Sequence, residues 1–126
     1  MSANLKYTKD HEWLKIEDGN VAVVGITEYA QDALGDLVFV ELPDIGATFN
    51  KGDDLAVVES VKTAAEVYAP VTGEVVAVNS DLPDNPELIK ESLEAGWIAK
   101  IKMTDETDMA EMMDDASYKD FVNGLD

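Results

Sequence analysis

The sequence contains no cysteine and no arginine, and a single histidine, His11, among its 126 residues. Without cysteine there is no disulfide, no thiol nucleophile and no thiolate metal ligand. A Ser-His-Asp arrangement needs only one histidine, but no Gly-x-Ser-x-Gly elbow or other nucleophile setting accompanies His11. Nine lysines face 27 aspartates and glutamates, for a formal charge of -18. Such a surface repels phosphate backbones and anionic headgroups, so nucleic acid is not an expected partner. Most of these acids serve solubility, and basic docking faces on partner proteins are compatible with them. No apolar run approaches the length a bilayer demands, so no membrane partner is expected. Residues 1–6 lack both the apolar stretch of a signal peptide and the Arg-rich pattern of a transit peptide, so a cytoplasmic protein is expected.

What is present is enough apolar material, 46% of residues, for one hydrophobic core. A single domain over 1–126 is expected. Glu12-Trp13-Leu14-Lys15-Ile16 alternates, Glu17-Asp18-Gly19-Asn20 supplies turn chemistry, and Val21-Ala22-Val23-Val24-Gly25 completes a hairpin. Thr27 can cap a helix of two turns that Gly35 closes in the left-handed conformation. Leu37-Val38-Phe39-Val40-Glu41-Leu42 predicts a buried strand, stopped by Pro43-Asp44-Ile45-Gly46. Further strands are predicted at Leu55-Ala56-Val57-Val58-Glu59, at Ala65-Glu66-Val67-Tyr68 and at Glu74-Val75-Val76-Ala77-Val78. Pro86-Glu87-Leu88-Ile89 suggests a short helical piece, and Gly96-Trp97-Ile98-Ala99-Lys100-Ile101-Lys102 a last strand. A C-terminal helix is predicted over about 105–121, capped by Thr104 or Asp105, with Met109, Met112, Met113 and Phe121 as core contacts.

Gly35-Asp36-Leu37-Val38-Phe39-Val40 can be laid over Gly73-Glu74-Val75-Val76-Ala77-Val78, each copy reading Gly, acid, aliphatic, Val, variable, Val. Two such β-halves would pack as a flattened barrel or sandwich with Lys62 at their junction.

Lys62 stands in Val58-Glu59-Ser60-Val61-Lys62-Thr63-Ala64, where two strand-like runs meet without an Asn-Gly or Asp-Gly turn. By itself it would be an ordinary solvated lysine. Around it, however, lie Gly52-Asp53 before the first strand, Glu59 three residues ahead, Pro70 after the second strand and Gly73 eleven residues on. This set resembles the lipoyl/biotinyl attachment hairpin, and the chain resembles the glycine cleavage H-protein family within that group. Supporting stretches are His11-Glu12-Trp13, Val24-Gly25-Ile26-Thr27, Ala30-Gln31-Asp32, Leu34-Gly35-Asp36, Phe39-Val40-Glu41-Leu42-Pro43 and Gly96-Trp97, in family order over about 7–103. Biotin carriers usually flank the lysine with methionines, and 2-oxoacid dehydrogenase lipoyl domains usually precede it with an acid and follow with flexible linkers. Here the neighbours are Val61 and Thr63, with no Pro/Ala-rich linker.

The resemblance implies a mainly β fold of the lipoyl/biotinyl type, a barrel-sandwich hybrid with short helices, a β core at about 20–103 and the C-terminal helix. It implies a non-catalytic carrier with lipoic acid attached covalently to Lys62. Glu59 would serve recognition by a lipoylating enzyme, and Gly73 would let the neighbouring strand approach the hairpin. The implied partners are a pyridoxal-phosphate glycine decarboxylase (P protein), an aminomethyltransferase (T protein) and a dihydrolipoyl dehydrogenase (L protein), with the carrier itself a monomer. Between them the arm would shuttle the aminomethyl group of glycine. Asp10, Glu12 and Glu66 match positions that hold the loaded, cationic arm in a cleft. No metal ligand set is expected. The alternatives are a relay donating lipoate to 2-oxoacid dehydrogenases, an enzyme using Glu12 and Glu66 as an acid/base pair, or a scaffold.

Overall fold

The computed structural model describes residues 5–17, 20–91, 93–104 and 112–124. Among the described residues nine strands form two antiparallel sheets. The six-stranded sheet runs β1 (Leu5–Tyr7), β2 (Glu12–Glu17), β3 (Val21–Ile26), β9 (Ala99–Met103), β8 (Gly73–Val78), β5 (Thr48–Phe49). The three-stranded sheet runs β4 (Leu37–Glu41), β6 (Asp54–Ser60), β7 (Ala64–Tyr68). They pack face to face as a flattened sandwich and neither closes on itself. Leu14, Val24, Val75 and Ile101 from the larger sheet and Val40 and Val58 from the smaller meet in one fully buried core. Among the described residues no helix is long and apolar enough to cross a membrane.

Local signals account for much of this. The hairpin of β2 and β3 pairs Glu12 with Ile26 and Glu17 with Val21; the turn residues 18–19 lie outside the described residues, while Asn20 has φ +61. Trp13 faces Gly25 across the pair, and a Cβ on Gly25 would run into the indole, so glycine is required there. Helix α1 (Glu28–Leu34) has the predicted two turns, and the Thr27 hydroxyl accepts from Ala30 N. Gly35 closes it at φ +78 but ψ -139, outside the left-handed helical well. Pro86–Lys90 forms the expected helical piece as a 3-10 helix, followed by a short helix α2 (Leu93–Gly96).

Several expectations need correction. The strand at 37–41 is buried only at Leu37 and Val40; a register shift between Leu37 and Phe39 leaves Val38 and Phe39 exposed. The last strand starts at Ala99 rather than Gly96, because Gly96 ends α2 against the Ile89 backbone. The two glycines of the apparent repeat do different work: Gly35 supplies a positive φ, whereas Gly73 supplies the absence of a side chain. Met112 and Met113 lie outside the C-terminal helix. Of that expectation, 105–111 lie outside the described residues. The helix described, α3 (Asp115–Asn123), is capped by the Asp114 carboxylate, which accepts from Ser117 N at 2.8 Å. Met112 and Met113 precede it in extended chain, with Met113 and Tyr7 exchanging two backbone hydrogen bonds of 2.8 and 2.9 Å. An aspartate beside helix-compatible residues is a better start than a position whose backbone is paired as strand. The pairings of β1 and β5 were not anticipated, since three and two residues carry too little period to read.

Candidate functional site

Strands β6 and β7 pair up to Glu59 and Ala64, leaving Ser60 to Thr63 to make the bend. Ser60 supplies the missing turn chemistry. Its hydroxyl oxygen accepts from Lys62 N at 3.2 Å and Thr63 N at 3.1 Å, while Ser60 N donates to Thr63 O at 2.7 Å. A hydroxyl serving two successive amides substitutes for the glycine-containing turn the sequence lacks. The signal for Ser60 in the sequence is a serine at a strand end next to a turn without glycine. Val61 N donates to Asp36 O at 3.0 Å, tying the tip to the segment between α1 and β4.

Lys62 is exposed at this tip. Its stem crosses Gly35, where a Cβ would sit 3.5 Å from the Lys62 Cε, and its ammonium donates to Ala33 O at 3.4 Å. The side chain therefore lies toward the carbonyl end of α1, which carries partial negative charge. Glu59 is half-buried on β6, paired with Phe39 and Ala64, one residue before the bend. Gly73 is elsewhere. It starts β8 in the other sheet, and the close approach it permits is to β9: a Cβ there would collide with the Lys102 carbonyl oxygen and the Ile101 side chain. Its geometric role is thus in the six-stranded sheet, not at the Lys62 hairpin.

Asp10, Glu12 and Glu66 do come together. They line one cavity of about 200 Å³ whose apolar walls include Ile26, Ala30, Leu34 and Val58, and whose lining also includes Ala33, the residue that receives the Lys62 ammonium. Glu12 is 2% exposed, with one carboxyl oxygen accepting from Tyr68 N at 2.7 Å and the other from the Thr8 hydroxyl at 3.2 Å. Burial pushes its pKa up to about 7; the Tyr68 amide opposes, Asp10 adds to the rise, and Thr8 opposes. Glu66 is exposed, and its pKa is raised first by a hydrogen bond shared with Asp54 and then by the charge of that neighbour. Asp10 is exposed at the rim.

His11 has φ +68 and lies against Tyr29, ring centroids 4.4 Å apart. Its Nδ1 is 2.8 Å from the Tyr118 hydroxyl, which is 2.7 Å from the Thr27 hydroxyl. Burial lowers its pKa against the charge of Asp10. This network pins α3 to the start of α1. Met112 packs against the core, and Met112, Met113 and Phe121 also line a cavity of about 550 Å³ on which Glu12 opens.

The glycine cleavage H-protein family model matches residues 5–124. The chain belongs to this family. Among H-protein relatives, that of Cronobacter sakazakii is 56% identical over 116 residues, covering 91% of this chain and 90% of the relative. That of Escherichia coli is 54% identical over 118 residues, covering 93% and 92%. The crystal structure of a glycine cleavage system H protein from Mycobacterium marinum superposes with a TM-score of 0.87 at 37% identity, covering 99% of this chain and 100% of that one. The H-protein fold thus extends over both sheets and over the segment around Lys62.

The residues present fit a lipoyl group. An exposed primary amine on a hydrogen-bonded bend can be acylated, and the neighbouring cavity offers apolar walls for a methylene chain.

Proposed function

We propose that this chain is the lipoyl carrier of a glycine cleavage system, with the lipoyl group held as an amide on Lys62. The carrier role follows from family membership. The observation supporting Lys62 is its place on a self-scaffolded bend, exposed, with its side chain directed to the helix that walls the acid-lined cavity. Acylation removes the charge of Nζ, so the modified side chain loses the electrostatic part of its hold on the end of α1. When bound, lipoic acid supplies a redox-active disulfide, which a chain without cysteine cannot provide.

The chain's own contribution is to hold and to exclude. The strands fix the base of the arm, and tethering raises its effective concentration at each partner site. Ala30, Leu34 and Val58 give part of the cavity an apolar wall. Glu12, with its pKa raised to about 7 by burial, is present in both protonated and ionised forms at neutral pH. A cationic amine brought beside it favours the ionised form and gains a charge-assisted hydrogen bond. Glu66 and Asp10 add negative charge at the same cavity, and Glu59 serves recognition by the lipoylating enzyme. The P, T and L proteins are the partners of the loaded arm, and bond making and breaking belong to them and to the lipoyl group. We place the protein in the cytoplasm as a monomer.

Intact-mass analysis of the chain from cells able to make lipoate tests the reading. One lipoyl or octanoyl amide on Lys62, absent from Lys62→Arg, is expected; an unmodified or biotinylated Lys62 in that setting overturns it.

A further inference from the structure

Residues 33–37, from the last turn of α1 to the start of β4, are hydrogen-bonded from two sides. From the hairpin come Val61 N to Asp36 O at 3.0 Å and the Lys62 ammonium to Ala33 O at 3.4 Å. From the 3-10 helix, some 50 residues further along the chain, come two more contacts. The Glu87 carboxylate accepts from Leu37 N at 3.0 Å, and the Lys90 ammonium donates to Gly35 O at 2.6 Å. Glu87 and Lys90 are themselves 4.0 Å apart. Leu37 in turn pairs with Ser60, whose hydroxyl builds the bend. The 3-10 helix has firm footing: Ile89 is buried in the core, and its backbone is so close to Gly96 that no side chain fits between.

From this we infer that Glu87 and Lys90 are positioning residues for the arm: they clamp residues 35–37 and so fix the hairpin tip that presents Lys62 to the acylating enzyme. The inference rests on Lys62 being the attachment point. Both side chains are largely outside the core, and a surface pair of this kind contributes little to global stability. Its effect is local. Gly35 has φ +78; its N–H donates to Gln31 O at 3.1 Å, and on the far side its carbonyl is held by the Lys90 ammonium. Losing either contact frees the peptide groups that meet Lys90 and Glu87, and the acceptor of Val61 N lies between them.

A looser tip spends a smaller fraction of time in the geometry the enzyme binds, which raises the apparent dissociation constant by the inverse of that fraction. The loss therefore falls in KM, with kcat retained. Because both side chains are solvent-exposed, each contact has the weight of an ordinary hydrogen bond, an effect of about three- to tenfold.

The test uses the full chain as wild type, Glu87→Ala, Glu87→Gln and Lys90→Met, with Glu91→Ala as a control for losing a neighbouring acid. Hydrogen exchange of the Val61 amide is followed by NMR, alongside the steady-state kinetics of octanoyl transfer to Lys62 by an ATP-dependent lipoate-protein ligase. Glu87→Ala and Lys90→Met are expected to speed Val61 exchange and raise KM by about three- to tenfold, with kcat within about twofold of wild type. Glu87→Gln keeps an amide oxygen for Leu37 N and is expected to behave like wild type, as is Glu91→Ala. Val61 exchange unchanged in both Glu87→Ala and Lys90→Met overturns the clamp. So does faster exchange spread equally over β2 and β3, or a fall in kcat at constant KM. A wild-type chain that takes no octanoyl group sinks the Lys62 assignment instead, and the exchange data then still decide whether the clamp exists.

Discussion

Replacing Glu12 by glutamine keeps the shape of a buried side chain and removes its charge. The carboxyl accepts from Tyr68 N and the Thr8 hydroxyl, and a glutamine oxygen can keep the 2.7 Å bond to Tyr68 N. In the unfolded chain this carboxyl titrates near 4.5, whereas burial raises it to about 7 in the folded protein. The folded state therefore binds the proton more tightly, so Glu12 lowers stability progressively as pH rises from about 4.5 to about 7, with the full penalty above that. A carboxyl carried that far costs roughly 3 kcal/mol when ionised. Because Glu12 is 2% exposed, solvent screening takes little from this figure. For a chain of this size, roughly 3 kcal/mol corresponds to about 10 °C in Tm. Thermal unfolding of unmodified wild type and Glu12→Gln, measured from pH 4 to 8.5, is expected to give similar Tm values at the acid end. The glutamine variant should lead by about 10 °C at pH 8. A difference that does not change between pH 4.5 and 8, or one favouring wild type at pH 8, refutes the reasoning. The same substitution deletes an anionic acceptor for a cationic amine, so stability and retention of the loaded arm should move in opposite directions.

Ser60→Ala strips the acceptor from the amides of Lys62 and Thr63, so it should destabilise by about 1–2 kcal/mol. Denaturant midpoints check the loss, and faster amide exchange at those two residues locates it. Gly73→Ala forces a methyl into the Lys102 carbonyl and should destabilise by about 2–3 kcal/mol or more. Because Gly73 lies in the other sheet from the hairpin, the folded fraction of Gly73→Ala should accept an acyl group on Lys62 at the wild-type rate, as single-turnover mass spectrometry would show.

The sequence by itself carried whatever is written in neighbouring residues. Alternation gave the β2 and β3 hairpin, Thr27 gave the start of α1, and proline at the first turn gave the 3-10 helix. The family came from short stretches in a fixed order, and with it the attention to Lys62, Glu12 and Glu66. Local periodicity also misleads: the methionine spacing predicts a helix through Met113, whereas Met113 is held in extended chain by Tyr7, more than a hundred residues away. Only the tertiary structure decided that Glu12 is buried, because the residues that desolvate it and hold its oxygens come from separate parts of the chain, Tyr68 among them. It alone moved Gly73 from the hairpin to the β8 and β9 contact, and it alone joined Glu87 and Lys90 to 35–37. Caps, turns and alternation act over a few residues and can be read along the chain. Burial and long-range hydrogen bonds depend on which surfaces the folded sheets bring together.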